Sequence, residues 1–135
     1  MNDKLRALLI RHEGIRLFPY EDSVGKLTIG IGRNLDDRGL SNEEVNYLFT
    51  NDVDMATLDL MKIFPDFSGW TESRRNALVD AMFNLGNTRF LGFKKMIAAL
   101  KACNWKTAAS EMRNSYWAEQ LPARVEELAR MVEEG

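Results

Sequence analysis

Apolar positions along the chain recur mostly with a helical period. Leu5, Leu8, Leu9 and His12 follow i, i+3, i+4, i+7, with Asp3 in the N-cap place and Gly14 as a left-handed stop. That spacing predicts a short amphipathic helix over residues 4 to 13, ending on Glu13. The pattern then changes. Ile15 to Tyr20 mixes β-branched and aromatic residues, the turn formers Glu21 to Gly25 follow, and Lys26 to Ile31 is again strand-like. This predicts a hairpin whose first strand is an edge, because Pro19 cannot donate to a ladder. Ser41-x-x-Glu44 is a capping box, and Val45, Leu48, Phe49, Val53, Ala56, Leu60 and Ile63 continue a helix until just before Pro65. At 1.5 Å per residue such a helix is about 30 Å long, enough to link a small hairpin lobe to a larger helical one. Thr71 caps a run through Ala77, Leu78, Ala81, Met82 and Leu85 that stops at Gly86. Shorter helices are expected over 93 to 102, 104 to 113 and 122 to 133, the last opened by Pro122 at its first position. The predicted class is α+β, predominantly α, with one small β-hairpin and a cleft where hairpin and helices meet.

Composition narrows the picture. The 135 residues suit one domain with a real core, and 45% hydrophobic against 28% charged residues excludes disordered and fibrous classes. A single cysteine, Cys103, cannot form an internal disulfide, which suits a reducing compartment. Charges interrupt the N-terminal apolar residues too early for a secretory segment, and no run approaches membrane-spanning length, so stable membrane insertion is not expected. A net charge of −2 offers no electropositive field to hold nucleic acid.

Several chemistries fail on residue type. His12-Glu13 begins like a zinc helix, but position 16 is Arg16 and His12 is the only histidine, so no metal site is expected. Gly25-Lys26 lacks the upstream glycine of a phosphate loop. Asp52-x-Asp54 lacks the glycine and later ligands of a calcium loop, and there is no Gly-x-Ser-x-Gly elbow. No cofactor is expected.

Glu13, Asp22 and Thr28 remain. Their spacing, Glu-x8-Asp-x5-Thr, would bring two carboxylates and a hydroxyl to the mouth of one hairpin. The negative end of the first helix disfavours an ionised Glu13 and biases it toward donating a proton, whereas Asp22 in a polar turn stays ionised. Two carboxylates divided into acid and base by their surroundings are what glycosidase chemistry requires. The same residues also read as a helix-end glutamate and an ordinary turn former.

The surrounding residues sharpen this. The run His12-Glu-Gly-Ile-Arg-Leu-Phe-Pro-Tyr-Glu-Asp-Ser-Val-Gly-Lys-Leu-Thr-Ile-Gly-Ile-Gly32 resembles the signature of the phage T4-type lysozymes, glycoside hydrolase family 24. So, in order, do Leu48 to Asp54, Arg74-Arg75 through Phe83-Asn84-Leu85-Gly86, Gly92-Phe93, and Trp117 to Arg124. The resemblance implies a two-lobed lysozyme fold in one domain: a hairpin lobe over about 14 to 45, and a helical lobe made of about 60 to 135 plus the N-terminal helix 3 to 13, the lobes being joined by the long helix. It implies that Glu13 is the general acid and that Asp22 and Thr28 hold the attacking water. That is an inverting mechanism, with carboxyls roughly 6.5 to 9.5 Å apart. The implied substrate is the β-1,4 bond between N-acetylmuramic acid and N-acetylglucosamine in peptidoglycan. Phe83, Asn84, Gln120 and Arg124 match positions lining the helical wall of the cleft. A pairing of Arg124 with Glu13 would hold the acid in place while favouring its ionised form, against the helix end, and the sequence leaves that balance open. Gly30 and Gly32 either admit sugar close to the backbone or mark a bulge or tight packing, and the second is favoured. Trp117 is expected in the core or at a lobe interface.

Three departures from the family pattern stand out. The segment Gly32 to Ser41 is short, which predicts a reduced hairpin lobe. Arg33 stands where histidine is expected, and an ion pair with Asp52 on the long helix is predicted. The slight negative charge predicts weak salt dependence of wall binding. The implied role is a monomeric muramidase of phage or prophage origin, accumulating in the host cytoplasm, released with a holin, and acting on periplasmic peptidoglycan at lysis. Two alternatives are a lytic transglycosylase, which would leave the water-holding pair idle, and a wall-binding or tail-associated module.

Overall fold

The computed structural model describes all 135 residues. They divide into two compact units, Met1–Tyr47 and Leu48–Gly135. The first opens with α1 (Asp3–Glu13), capped one residue earlier than the sequence suggests, by the Asn2 side chain accepting the Leu5 N–H at 2.8 Å. Gly14 ends the helix as expected, but with φ 75 and ψ 177. That combination is open only to glycine, and it turns the chain straight into strand β1 (Arg16–Glu21).

The hairpin carries a third strand. β1 pairs antiparallel with β2 (Leu27–Gly30), which pairs with β3 (Arg33–Asn34), in the order β1-β2-β3. β1 is therefore an edge, as Pro19 requires, and the irregular register between Arg16 and Tyr20 places the extra residues beside that proline. β2 stops one residue short of the predicted strand, because Gly30 and Gly32 both take positive φ, 69 and 71, and turn the chain at Ile31. The short segment that follows is not a bare loop. It forms β3 and a single helical turn, α2 (Leu35–Arg38), with Asn34 as its cap.

The capping box forms reciprocally, Ser41 N–H to Glu44 Oε1 at 2.9 Å and Glu44 N–H to Ser41 Oγ at 3.2 Å, and opens α3 (Asn42–Ile63). A 3-10 turn (Phe67–Gly69) leads to α4 (Glu72–Leu91), which is broken at Gly86 (φ 76, ψ 164) where the sequence predicts a stop. α5 (Lys94–Lys101), α6 (Trp105–Arg113), α7 (Tyr116–Gln120) and α8 (Pro122–Glu134) complete the chain. Of these four, only α7, a five-residue helix capped by Ser115, escapes the sequence reading, as α2 does in the first unit. The fold is predominantly α with a small antiparallel sheet.

α8 packs on α4, α6 and α7, and α5 packs on α6. Their shared core holds Leu60, Phe64, Leu78, Phe90, Met96, Leu100, Met112, Trp117, Val125 and Val132, all fully buried. Arg74 closes the far end of α8. Its Nε donates to Val132 O at 2.7 Å, and its guanidinium lies 4.2 Å from the Trp105 ring centroid. No helix is long and apolar enough to cross a membrane.

Candidate active site

Glu13, Asp22 and Thr28 all belong to the first unit. Glu13 ends α1 and lies against the glycine turn after β2. A Cβ built on Gly32 would stand 2.8 Å from Glu13 Oε2 and 2.9 Å from its carboxyl carbon. Gly32 is thus required twice, by its positive φ and by the carboxyl group that occupies the side-chain space. The tight-packing reading of this glycine holds, and the group packed against it is the candidate acid.

Asp22 stands at the opposite end of β2, in the turn Asp22 to Gly25. The turn forms because Gly25 takes φ 82 and because Asp22 folds back on its own backbone. Asp22 Oδ1 accepts from the Val24 and Lys26 N–H groups, both at 2.9 Å. The Asp22 N–H donates to Lys26 O at 2.9 Å, and Thr28 Oγ1 donates to the same carbonyl, also at 2.9 Å. A carbonyl oxygen only accepts, so the direction of the Thr28 hydroxyl proton is fixed. Thr28 is 3% exposed and is the one buried polar residue of the chain.

This hydrogen bonding distinguishes the atoms of the two side chains. Asp22 Oδ1 is taken up by two amides, leaving Oδ2 as the free acceptor, and the Thr28 proton is spent on Lys26, leaving Oγ1 only lone pairs. Glu13 and Asp22 meet the hairpin near opposite ends of β2, a strand that at about 3.3 Å per residue spans about 10 Å.

Arg33 does not take the partner expected for it. Its Nη1 donates to Glu44 Oε1 at 2.7 Å and to Gly39 O at 3.2 Å, in place of the predicted pair with Asp52. The reason lies in α3 itself: Glu44 is in its first turn, already oriented by Ser41, whereas Asp52 is eight residues, about 12 Å, further along the helix. The Arg33 guanidinium first, and the Ser41 N–H second, hold the Glu44 carboxyl at about 2, against an ordinary 4.5.

The remaining candidates lie in the helical unit. Phe83 is half exposed, meets Phe49 edge to face with centroids 6.0 Å apart, and shares with Arg124 a groove of about 480 Å³ floored by Phe67 and Val79. Arg124 is engaged within its own unit, donating from Nε to Asp80 Oδ1 at 2.8 Å. Asn84 Oδ1 accepts the indole N–H of Trp117 at 2.8 Å. Trp117 is accordingly a core residue, 1% exposed, and only the Asn84 Nδ2 remains without a partner. Gln120 lies on the surface with Arg89 Nη2 3.5 Å from its Oε1. No group of three or more His, Cys, Asp or Glu side chains is gathered as a metal site. Asp36 and Asp37, which the sequence reading passed over, and Lys26, which it weighed only as part of a phosphate loop, meet beside the Asp22 turn, Asp37 on Lys26 Nζ and Asp36 on the Leu27 N–H. The signal available was Asp-x-x-Gly-Lys, an aspartate that closes its own turn.

A family model described as phage lysozyme matches residues 10–131. The chain belongs to the phage lysozyme family and is a glycoside hydrolase of the lysozyme type. It is 26% identical to probable T4-type lysozymes 1 and 2 of Dictyostelium discoideum, over all of this chain and 96% of each relative. The aligned span of 164 positions exceeds the 135 residues here, so both relatives carry segments that this chain lacks. It is also 25% identical to the pre-baseplate central spike protein Gp5 of Enterobacteria phage T4, over 97% of this chain and 28% of that protein.

Proposed function

We propose that the chain is a muramidase that hydrolyses the β-1,4 bond between N-acetylmuramic acid and N-acetylglucosamine in peptidoglycan, with inversion. The observation that carries this reading is the division of labour among the oxygens of Asp22 and Thr28. A water between them finds two acceptors and no donor, Asp22 Oδ2 and Thr28 Oγ1, so both its protons point into the protein and a lone pair points out. Glu13 protonates the glycosidic oxygen as the bond to the muramic acid C1 breaks. The water oxygen bonds to C1 from the other face and its proton passes to Asp22, so the products are a free 4-hydroxyl and a hemiacetal of inverted configuration. Phe83, Asn84, Gln120 and Arg124 are the further residues proposed to bind glycan.

The biological setting proposed is host-cell lysis by a phage or prophage, as a monomer released with the help of a holin. Likeness to a pre-baseplate central spike protein favours a second setting, in which the same reaction is tail-associated. Clearing of outer-membrane-permeabilised Gram-negative cells tests the chemistry, with Glu13→Gln expected to lose about 10²- to 10⁴-fold in rate. Full activity in a folded Glu13→Gln protein would remove Glu13 from its role. Anhydro-muramyl ends among the products, detected by mass spectrometry, would replace hydrolysis by a transglycosylase reaction.

A further inference from the structure

We propose that Asp36 is a positioning residue for the hydrolytic water, acting through the peptide plane between Lys26 and Leu27; the inference rests on the roles given above to Asp22 and Thr28. That single peptide has its carbonyl on one side and its N–H on the other. The carbonyl, Lys26 O, takes both the Asp22 N–H and the Thr28 hydroxyl proton. The N–H, of Leu27, donates to Asp36 Oδ2 at 2.7 Å, the only link the plane makes outside the strand and its turn. Because the peptide unit is planar, whatever fixes its N–H also fixes the direction of its carbonyl. Asp36 therefore sets the tilt of the group that aims the Thr28 hydroxyl.

The bracing is closed on itself. Asp36 is held on α2, whose cap Asn34 accepts the Asp37 N–H at 2.9 Å and donates through Nδ2 to Asp37 Oδ2 at 2.9 Å. Asp37 in turn meets Lys26 Nζ at 3.2 Å, and Asn34 pairs with Thr28 across the sheet. A path thus runs from Lys26 through Asp37 and Asn34 to Thr28, with Asp36 on Leu27 between. A charged acceptor on a backbone N–H is a stronger restraint than a neutral one, and misplacing a reacting group by a fraction of an ångström is enough to slow chemistry without touching binding.

The test compares Asp36→Ala with Asp36→Asn in the full chain, measuring kcat and KM on a soluble peptidoglycan oligosaccharide. Asp36→Ala removes the acceptor and is expected to lower kcat about tenfold with KM within about twofold. Asp36→Asn keeps an acceptor oxygen and should recover most of that loss. Wild-type kcat in Asp36→Ala, or equal losses in both variants, would overturn the proposal, the second because it would mean charge rather than aim. Should Asp36→Ala fail to fold, hydrogen exchange in the wild-type protein decides: the Leu27 amide is expected to be protected, and free-chain exchange there overturns the brace. Asp22→Asn separates the two levels. If it abolishes activity while Asp36→Ala has none of the expected effect, only the brace is lost; if it is fully active, the water-holding reading itself fails.

Discussion

The two units are held together by different physics. In Leu48–Gly135 every buried apolar side chain of the molecule is found, and packing among Trp117, Phe64, Phe90, Leu100 and their neighbours sets the geometry. In Met1–Tyr47 the only buried residue is Thr28, and geometry is set by hydrogen bonds onto Asp22, Asp36, Asn34 and Glu44. Packing is non-directional and adds up over many contacts; a hydrogen bond contributes about 0.5 to 1.5 kcal/mol but aims one atom at another. The candidate chemistry sits in the unit whose interactions aim. Substitutions in the helical unit should therefore appear first in stability, and those in the hairpin unit first in rate.

The strongest attempt to break this contrast is Trp117→Ala. It removes the largest fully buried side chain and is expected to cost about 3 to 5 kcal/mol in urea unfolding, with kcat of the remaining folded protein near wild type at low temperature. A loss of kcat without loss of stability would put Trp117 at the chemistry instead of in the core. Next is Gly32→Ala, which places a methyl 2.8 Å from Glu13 Oε2 at a φ of 71. We expect kcat to fall roughly 100-fold as the acid is displaced, a larger effect than on the unfolding free energy. If Gly32→Ala merely lowers stability and leaves kcat alone, Glu13 does not depend on this packing.

How much of this was readable in the sequence follows the same divide. Helices with apolar periodicity were legible because burial imposes a period, and the Ser41–Glu44 and Thr71 caps marked their starts. That Glu13, Asp22 and Thr28 fall in one unit was legible because the turn between them is local in sequence; the roles given to them are the proposal. What escaped were contacts set by directions that periodicity does not encode. Arg33 finds Glu44 rather than Asp52, since an ion-pair partner depends on where the first turn of α3 starts relative to β3. α2 and α7, of four and five residues, are too short to carry a period. The engagement of Asn84 with Trp117 joins positions 33 residues apart, and no local signal announces it.

Asn84 sharpens the contrast inside the helical unit, because it has one oxygen turned to the core and one nitrogen left over. Asn84→Ala leaves the Trp117 indole N–H without an acceptor and should cost about 1 to 3 kcal/mol. Asn84→Asp retains the acceptor and removes the Nδ2 donor, so its stability should stay close to wild type while KM for glycan rises a few-fold, about one hydrogen bond's worth. Equal stability losses in the two variants would contradict the assigned orientation of the amide, and an unchanged KM in Asn84→Asp would take Asn84 out of glycan binding.

The smallest expected effect, and the most specific to the hairpin unit, is the acid limb of stability set by Arg33 and Glu44. Glu44 is held at about 2 in the folded protein against 4.5 ordinarily, by the Arg33 guanidinium first and the Ser41 amide second. A carboxyl lowered on folding stabilises fully above its unfolded value, and that contribution drains away as pH falls from about 4.5 toward about 2. Glu44→Gln keeps an oxygen for Ser41 and Arg33 but removes the charge, so it should be less stable than wild type at pH 6, with the gap narrowing as pH falls below 4.5 and closing only as pH passes below about 2. Both groups touch solvent, and the difference at pH 6 should shrink in high salt. The decisive measurement is the gap between the two proteins' thermal midpoints across that pH range. A gap that stays constant would mean the pair acts through packing, the manner of the helical unit, and the distinction between the units would fail at the position where α3 joins the hairpin.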